Sequence, residues 1–498
     1  MPSVMRPQPR PVDLREVLPD PSGIGVAEAV VVTGITHDSR DVQPGDLYVA
    51  LPGRITHGAR FAAAAVKQGA VAVVTDPSGA EQCRALGVPS VVLDDPRSAL
   101  GRMAARVYGE PTRDLVMIGI TGTNGKTTVA TMVESGLRAA GRRTGMVGTV
   151  GVTVDGVRHP AARTTPEATD LQAILAVMRD AGVDAVVMEV SSIALEEGRV
   201  DGIRYDVAAF TNLTQDHLDY HGTMERYFAA KALLFTPERA TLGIIGIDDE
   251  WGVALAGTTE VPRETWSLLD ARADWHAVRE GGVVSAVGPG DQRHVLDVPL
   301  PGSFNVANAV CAYAVLRAVG VSADDAAAGI GHVEVPGRMQ VVGDVAGIRG
   351  IVDYAHSPDA IERVLRATRD IGSGRVIAVV GAGGDRDTSK RPLMGGVAAR
   401  LADVLVITDD NPRSEDPAAI RQAVREGALQ VAPGERSEIH EVGDRAAAVT
   451  VAVSMAEAGD VVLVLGKGHE QGQEAGGVVT PFDDTSVLRA ALDARSST

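Results

Sequence analysis

VMIGITGTNGKTTVATMVESGL, Val116 to Leu137, decides how this chain is read. An apolar run of strand length enters a Gly-rich turn, and a helix-forming stretch leaves directly after Lys126-Thr127-Thr128. Phosphate oxygens need backbone N–H donors, and a helix N-terminus presents several unsatisfied ones with a favourable dipole. Gly122 and Gly125 let the backbone come close, Lys126 can reach β- and γ-phosphates, and the Thr127 hydroxyl is placed to ligand Mg²⁺. Gly122, Thr123, Asn124, Gly125, Lys126, Thr127 and Thr128 are therefore the candidate nucleotide contacts. The spacing departs from G-x-x-x-x-G-K-[ST], because Ile120 stands where the first glycine is usual and the nearest earlier glycine is Gly119. The loop alone does not choose between a kinase, a switch and a ligase.

Outward from this loop, short β-rich runs alternate with Ala-rich amphipathic stretches. Examples are Ala70–Val74, Asp184–Val190, Arg375–Gly381, Asp403–Asp410 and Asp460–Gly466. Continuous apolar runs ended by Gly, Asp or Ser suit parallel strands covered on both faces. The expected fold is α/β, with a central parallel sheet of the phosphate-loop type. Breaks at Gly109–Asp114 and Val333–Arg338 divide the 498 residues into three domains, 1–113, 114–335 and 336–498.

Composition excludes several classes. Net charge is −18, so no basic field holds nucleic acid, and anionic substrates must be met by a few placed Arg, Lys and N–H groups. Two cysteines, Cys83 and Cys311, exclude a disulfide framework and fit a reducing compartment. The opening MPSVMRPQPRPVDLREVLPD has no apolar stretch of a signal peptide, and no run reaches bilayer-spanning length. A cytoplasmic protein with no membrane insertion is expected.

A phosphate loop needs a carboxylate at the end of a neighbouring strand, and AVVMEVSS supplies Glu189. FTNLTQDHLDYHGTMERYFAAKALLF, Phe210 to Phe235, follows. With TGTNGKTT, this run resembles the Mur ligase family. The resemblance implies that His217 binds Mg²⁺, and that Lys231 is carbamylated to N6-carboxylysine, whose new carboxylate joins Thr127, Glu189 and His217 at the metal. Burial lowers a lysine pKa and favours the neutral amine that reacts with CO₂. On this reading Lys126, His217 and Lys231 carry the catalysis. One departure lies nearby: the family often has His after Ser-Ser, whereas this chain has Ile193, so no role of a histidine carries over there.

The same resemblance gives a C-terminal Rossmann-like domain. It places Asn305 and Asn308, on an amphipathic helix, near the adenine, and assigns Arg338, Asp353 and His356 to ATP from the C-terminal domain. Asp353 at a strand end can accept from ribose hydroxyls, and Arg338 can stabilise phosphate charge. The segment Ile35–Gly53 resembles the uridine-nucleotide-binding domain of the family, with Ser39 as the contact. Thr164, Thr165, Ser191 and Arg199 match positions that touch a UDP-N-acetylmuramoyl-dipeptide. Glu197 stands where some relatives have an amide and is not carried over.

GAGGDRDTSKRPLMG, TDDNPRSEDP and GKGHE resemble the amino-acid pocket of the diaminopimelate-adding branch. The implied contacts are Arg386, Asp410, Asn411, Pro412, Arg413, Gly466 and Glu470. Arg413 suits the distal carboxylate of diaminopimelate, which lysine lacks. The implied reaction is ATP-dependent amide-bond formation through an acyl phosphate, by a monomer acting on small molecules. A lysine-adding ligase, a folylpolyglutamate-synthetase-like enzyme and a nucleotide switch are the alternatives. The N-terminal domain and the Asp410–Arg413 segment oppose the folate reading, and Lys231 with His217 opposes the switch.

Overall fold

The alternation of buried runs and helices builds three main sheets, beside two two-stranded ones, in a computed structural model that describes residues 5–20, 29–53, 55–161, 163–371 and 373–495. The first sheet has four parallel strands in chain order, Gly34–Thr36, Asp46–Ala50, Ala72–Thr75 and Ser90–Val92. A helix, Pro96–Val107, packs on it: Asp95 accepts from the N–H groups of Arg97 and Ser98, Pro96 needs no partner there, and Leu100, Met103, Ala104 and Val107 are buried.

The central sheet has eleven strands. Its middle is parallel, with Val116–Thr121 between Ala185–Glu189 and Tyr205–Phe210, as the fully buried runs require. Its two ends are antiparallel hairpins, which continuous apolar runs do not reveal. Asp155-Gly156 and Gly281-Gly282 all lie in the left-handed region, which two-residue hairpin turns demand. The helix Ser303–Ala318 is not amphipathic as expected. From Asn305 to Leu316 all but Ala307 is buried, because the helix lies in the main core against the helix Lys126–Ala139.

The C-terminal sheet has six strands, with Ile348–Asp353, Val461–Leu465, Val376–Val380 and Val404–Ile407 adjacent and parallel. Such sheets bind ligands beyond the carboxyl ends of their strands. Three of the motif segments, Gly381–Gly384, Thr408–Arg413 and Gly466–Glu470, follow those ends. Both cysteines are buried and free. Among the described residues no helix is long and apolar enough to cross a membrane.

Candidate functional site

The phosphate strand ends at Thr121, and the helix begins at Lys126 after Gly125 in the left-handed region, φ 87°. Both loop glycines are required. A Cβ at Gly122 would lie 1.9 Å from Thr211 Oγ1, and one at Gly125 would lie 2.4 Å from Asn308 Oδ1. The next strand end grips the loop. Thr211 Oγ1 donates to Asn124 O at 2.6 Å, and Asn212 Oδ1 accepts from the Asn124 N–H at 3.1 Å. Thr123 Oγ1 accepts from the Thr214 N–H at 3.0 Å and lies 3.1 Å from the Tyr227 hydroxyl.

Lys126 is folded back on its own loop, with Nζ donating to Gly122 O at 2.9 Å and Thr123 O at 2.8 Å. Lys231, on the helix Met224–Ala232, donates to that same Gly122 O at 2.8 Å and lies 4.5 Å over the Tyr227 ring. It is 1% exposed. Burial, then the neighbouring Lys126, hold its pKa well below the ordinary lysine range, with Asp216 opposing. Two ammonium groups on one carbonyl repel, so the arrangement favours a neutral, nucleophilic amine at Lys231.

Glu189 is buried at its strand end and fully engaged. It accepts from Thr127 Oγ1 at 3.0 Å, Thr149 N–H at 2.8 Å and Thr149 Oγ1 at 3.0 Å. A carboxylate beside a hydroxyl at a helix N-terminus is the hard oxygen set that suits Mg²⁺. Among the described residues no three His, Cys, Asp or Glu side chains converge on one point. Lys231 Nζ contacts the Gly122 carbonyl and the Tyr227 ring, and Glu189 with Thr127 supplies the oxygen donors. His217 caps the short helix Leu218–His221 from the left-handed region, with φ 53°. Its side chain is 47% exposed, and partial desolvation, opposed by Asp216, lowers its pKa to about 4, which leaves the ring neutral.

The C-terminal domain closes the other side. Arg338 lies 4.5 Å over the Tyr354 ring and donates to Thr127 Oγ1 at 3.2 Å. Asp353 accepts from the N–H groups of Met339 at 2.7 Å and Ala355 at 2.8 Å, and burial raises its pKa. Burial lowers the pKa of His356, which bonds to Tyr354 O at 2.8 Å. Asn305 Nδ2 donates to Pro301 O at 2.7 Å and Asn308 Nδ2 to Asn305 Oδ1 at 3.1 Å. Asn124, Gly125, Thr128, Asn305, Asn308, Arg338, Asp353 and His356 line one cavity of about 380 Å³ between the two domains. Nucleotide contacts expected from distant parts of the chain thus meet there.

Beyond Glu189, Thr165 Oγ1 donates to Glu189 O at 2.9 Å and accepts from the Ser191 N–H at 3.1 Å. Thr164 Oγ1 lies 3.1 Å from Thr149 Oγ1. Arg199 pairs with Glu167 at 3.1 Å and also with Glu197. These four surround the strand end that carries Glu189. Ser39 stands apart on the N-terminal domain, where its carbonyl accepts from Gln68.

In the last pocket Asn411 Oδ1 accepts from Lys467 Nζ at 2.9 Å, and Asn411 Nδ2 donates to Glu470 Oε2 at 2.7 Å. Asp410 lies 3.8 Å from Lys467 Nζ, and a Cβ on Gly466 would come within 2.4 Å of Asp410 Oδ2. Arg413 donates to Gly384 O and lies 3.8 Å from Glu474. A Cβ on Gly383 would sit 3.1 Å from Arg413 Nη1 and 3.9 Å from Arg386 Cγ, so both arginines flank that glycine. Pro412 turns the chain, its carbonyl 1.9 Å from a Cβ on Gly384.

Four polar residues went unread in the sequence. Asp216, its side chain 14% exposed, lies beside His217, His356 and Lys390, which together hold its pKa down at about 2 against desolvation. Lys467 is fully buried under the amino-acid pocket. Thr149 holds Glu189, and His469 holds Thr149 O at 3.1 Å. Lys467 and His469 lay inside GKGHE, which was itself the available signal; Thr149 had none.

Comparison with known proteins follows this geometry. Residues 31–108 match the Mur ligase family catalytic domain, 120–316 the Mur ligase middle domain, and 337–468 the Mur ligase glutamate ligase domain. The chain is 51% identical to the UDP-N-acetylmuramoyl-L-alanyl-D-glutamate–2,6-diaminopimelate ligase of Streptomyces coelicolor, over 97% of this chain and 98% of that protein. A solved structure of a ligase of that same description is 32% identical with a TM-score of 0.70, covering 98% of this chain and all of that one. A Mycobacterium tuberculosis folylpolyglutamate synthase complexed with ADP and AMPPCP shares the fold, at 22% identity and TM-score 0.60, over 80% of this chain and 95% of that one.

Proposed function

The chain belongs to the Mur ligase family, and we propose that it is the ATP-dependent ligase joining 2,6-diaminopimelate to UDP-N-acetylmuramoyl-L-alanyl-D-glutamate in peptidoglycan precursor synthesis. The observation that carries this reading is the single cavity in which the phosphate loop of one domain faces Arg338, Asp353 and His356 of the next. Relatives named as diaminopimelate ligases along nearly the whole length support the substrate choice.

The substrate carboxylate attacks the ATP γ-phosphorus, giving an acyl phosphate and ADP. The diaminopimelate amine then attacks the acyl carbon, the amide C–N bond forms, and phosphate leaves with the bonding pair of the C–O bond. Lys126 would exchange its loop carbonyls for phosphate oxygens, and Arg338 would add a second cation from across the cavity. Thr127 and Glu189, with His217 and a carbamate on Lys231, would hold Mg²⁺. When bound, the ion neutralises phosphate charge and fixes its orientation. Closing the cavity between two domains excludes water from the acyl phosphate.

Ser39, Thr164, Thr165, Ser191 and Arg199 would hold the uridine-linked dipeptide. Arg386, Asp410, Asn411, Pro412, Arg413, Gly466 and Glu470 would seat the amino acid. Arg413 is the selective group: its guanidinium would meet the distal carboxylate of diaminopimelate, and lysine would leave it without that partner. A working monomer is part of this reading, and the two free, buried cysteines support a cytoplasmic setting.

The test is phosphate release from ATP, Mg²⁺ and UDP-N-acetylmuramoyl-L-alanyl-D-glutamate, with diaminopimelate compared against lysine. Release that depends on diaminopimelate is expected; equal or faster release with lysine would overturn the specificity.

A further inference from the structure

His469 lies in the GKGHE segment, between Lys467 and Glu470 of the amino-acid pocket, yet its ring turns away from that pocket. Nε2 stands 3.1 Å from Thr149 O in the central domain. A carbonyl can only accept, so Nε2 must carry the hydrogen, and the ring is the Nε2–H tautomer. Burial, then Arg338, lower its pKa to about 4, which keeps the ring neutral, and Nδ1 is buried with no partner. The only hydrogen bond this ring makes among the described residues therefore crosses the gap between domains.

What it reaches is specific. Thr149 is the residue whose N–H and hydroxyl hold both oxygens of Glu189, at 2.8 and 3.0 Å. The backbone behind His469 is also fixed. Gly337 lies so close that a Cβ there would sit 2.2 Å from His469 N, and Gly337 has φ 65°. The next residue is Arg338, whose guanidinium lies over Tyr354, and the Tyr354 ring lies 5.4 Å from that of His469. His469, Tyr354 and Arg338 thus form one ridge. It touches the Thr149 carbonyl and the Thr127 hydroxyl, in the two residues that donate to Glu189.

We propose that His469 is a positioning residue for the acid-activating step: through Thr149 it aims the Glu189 carboxylate, and so ties the phosphate machinery to the segment that seats the amino acid. This rests on the ligase reading above. It makes the loop before Glu470 serve two substrates, with Glu470 facing the amine donor and His469 holding the metal-side carboxylate.

The test compares His469→Gln with His469→Met in the full chain. The two side chains match in length, but only glutamine keeps an N–H donor for Thr149 O, so neither the fold nor the ridge is altered differently between them. H469M is expected to lower kcat about tenfold with KM for diaminopimelate changed less than about twofold. In calorimetry it should weaken Mg²⁺-dependent binding of a non-hydrolysable ATP analogue about fivefold, while H469Q stays within about threefold of the parent in each measurement. Equal behaviour of the two variants, or a loss confined to KM for diaminopimelate, would overturn the proposal. The calorimetric arm contains no amino acid, so it decides the role of His469 even if the parent protein releases no phosphate with diaminopimelate.

Discussion

The two seams between the domains are built from opposite materials. Between the N-terminal and central domains one hydrophobic core runs from Leu14, Leu47 and Leu100 through Ala168, Ala173 and Ala176. Backbones also meet there, because a Cβ on Gly101 would lie 2.0 Å from Asp201 O, and an ion pair joins Arg97 to Glu167 at 3.1 Å. Between the central and C-terminal domains lies a cavity rimmed by hydrogen bonds. Asn124 reaches Asp359 at 3.1 Å, Arg338 reaches Thr127 at 3.2 Å, and His469 reaches Thr149 at 3.1 Å. Continuous apolar packing has no second arrangement of similar energy, whereas hydrogen bonds around a polar cavity exchange readily with water. The first seam is a fixed joint. The second is the one whose bonds a bound nucleotide would replace, on the proposed reading.

Substitutions at the second seam should cost turnover, and those at the first should cost stability. Arg338→Ala should show the largest effect, kcat falling about a hundredfold to a thousandfold while the melting midpoint moves less than about 2 °C. A midpoint shift as large as the kinetic loss would mean the second seam also holds the fold. Gly101→Val should do the reverse: it forces a side chain into the Asp201 backbone and should lower unfolding free energy by about 3 kcal/mol in a urea titration. The protein that remains folded should keep its kcat.

Asp170 sharpens the contrast through pH. It sits at the first seam, where burial, with Asp41 and Glu167 nearby, raises its pKa from 3.8 to about 6. The folded state therefore holds a proton that the unfolded state has released between about pH 4 and 6. The cost of ionising Asp170 grows through that window and is complete above it. Asp170→Asn should accordingly stabilise the protein by about 1 to 2 kcal/mol at pH 7 and by almost nothing at pH 4, by urea midpoints. A gain of equal size at both values would rule out the carboxylate as its source. The smallest effect should come from Asp359→Asn at the second seam. Removing a carboxylate beside the phosphate loop while keeping an acceptor for Asn124 should lower KM for ATP about threefold. An unchanged KM would show that Asp359 swings clear before the nucleotide arrives.

Much of this was legible without coordinates. The phosphate loop announces itself because strand, glycines, lysine and helix are contiguous, and Glu189 follows from the strand it ends. Lys231 was legible only through a long matching run, since one lysine on a helix says nothing about burial. What escaped was what folding assembles from far apart. Asp216 gains His356 and Lys390 as charged neighbours only from another domain, and Thr149 acquired meaning from two partners distant in the chain. The hairpins at the sheet ends were announced by Asp155-Gly156 and Gly281-Gly282, but a search for buried parallel runs passes over half-exposed strands.

The resting bonds of Lys126 bear on how the protein behaves in a phosphate-rich cell. A cation already served by the Gly122 and Thr123 carbonyls is a weak trap for stray inorganic anions, because a lone phosphate must displace bonds nearly as good as those it offers. A nucleotide anchored in addition by its base and sugar carries enough surplus binding to pull the ammonium off its loop. Free phosphate, a product of the proposed reaction, should accordingly compete weakly with ATP for Lys126.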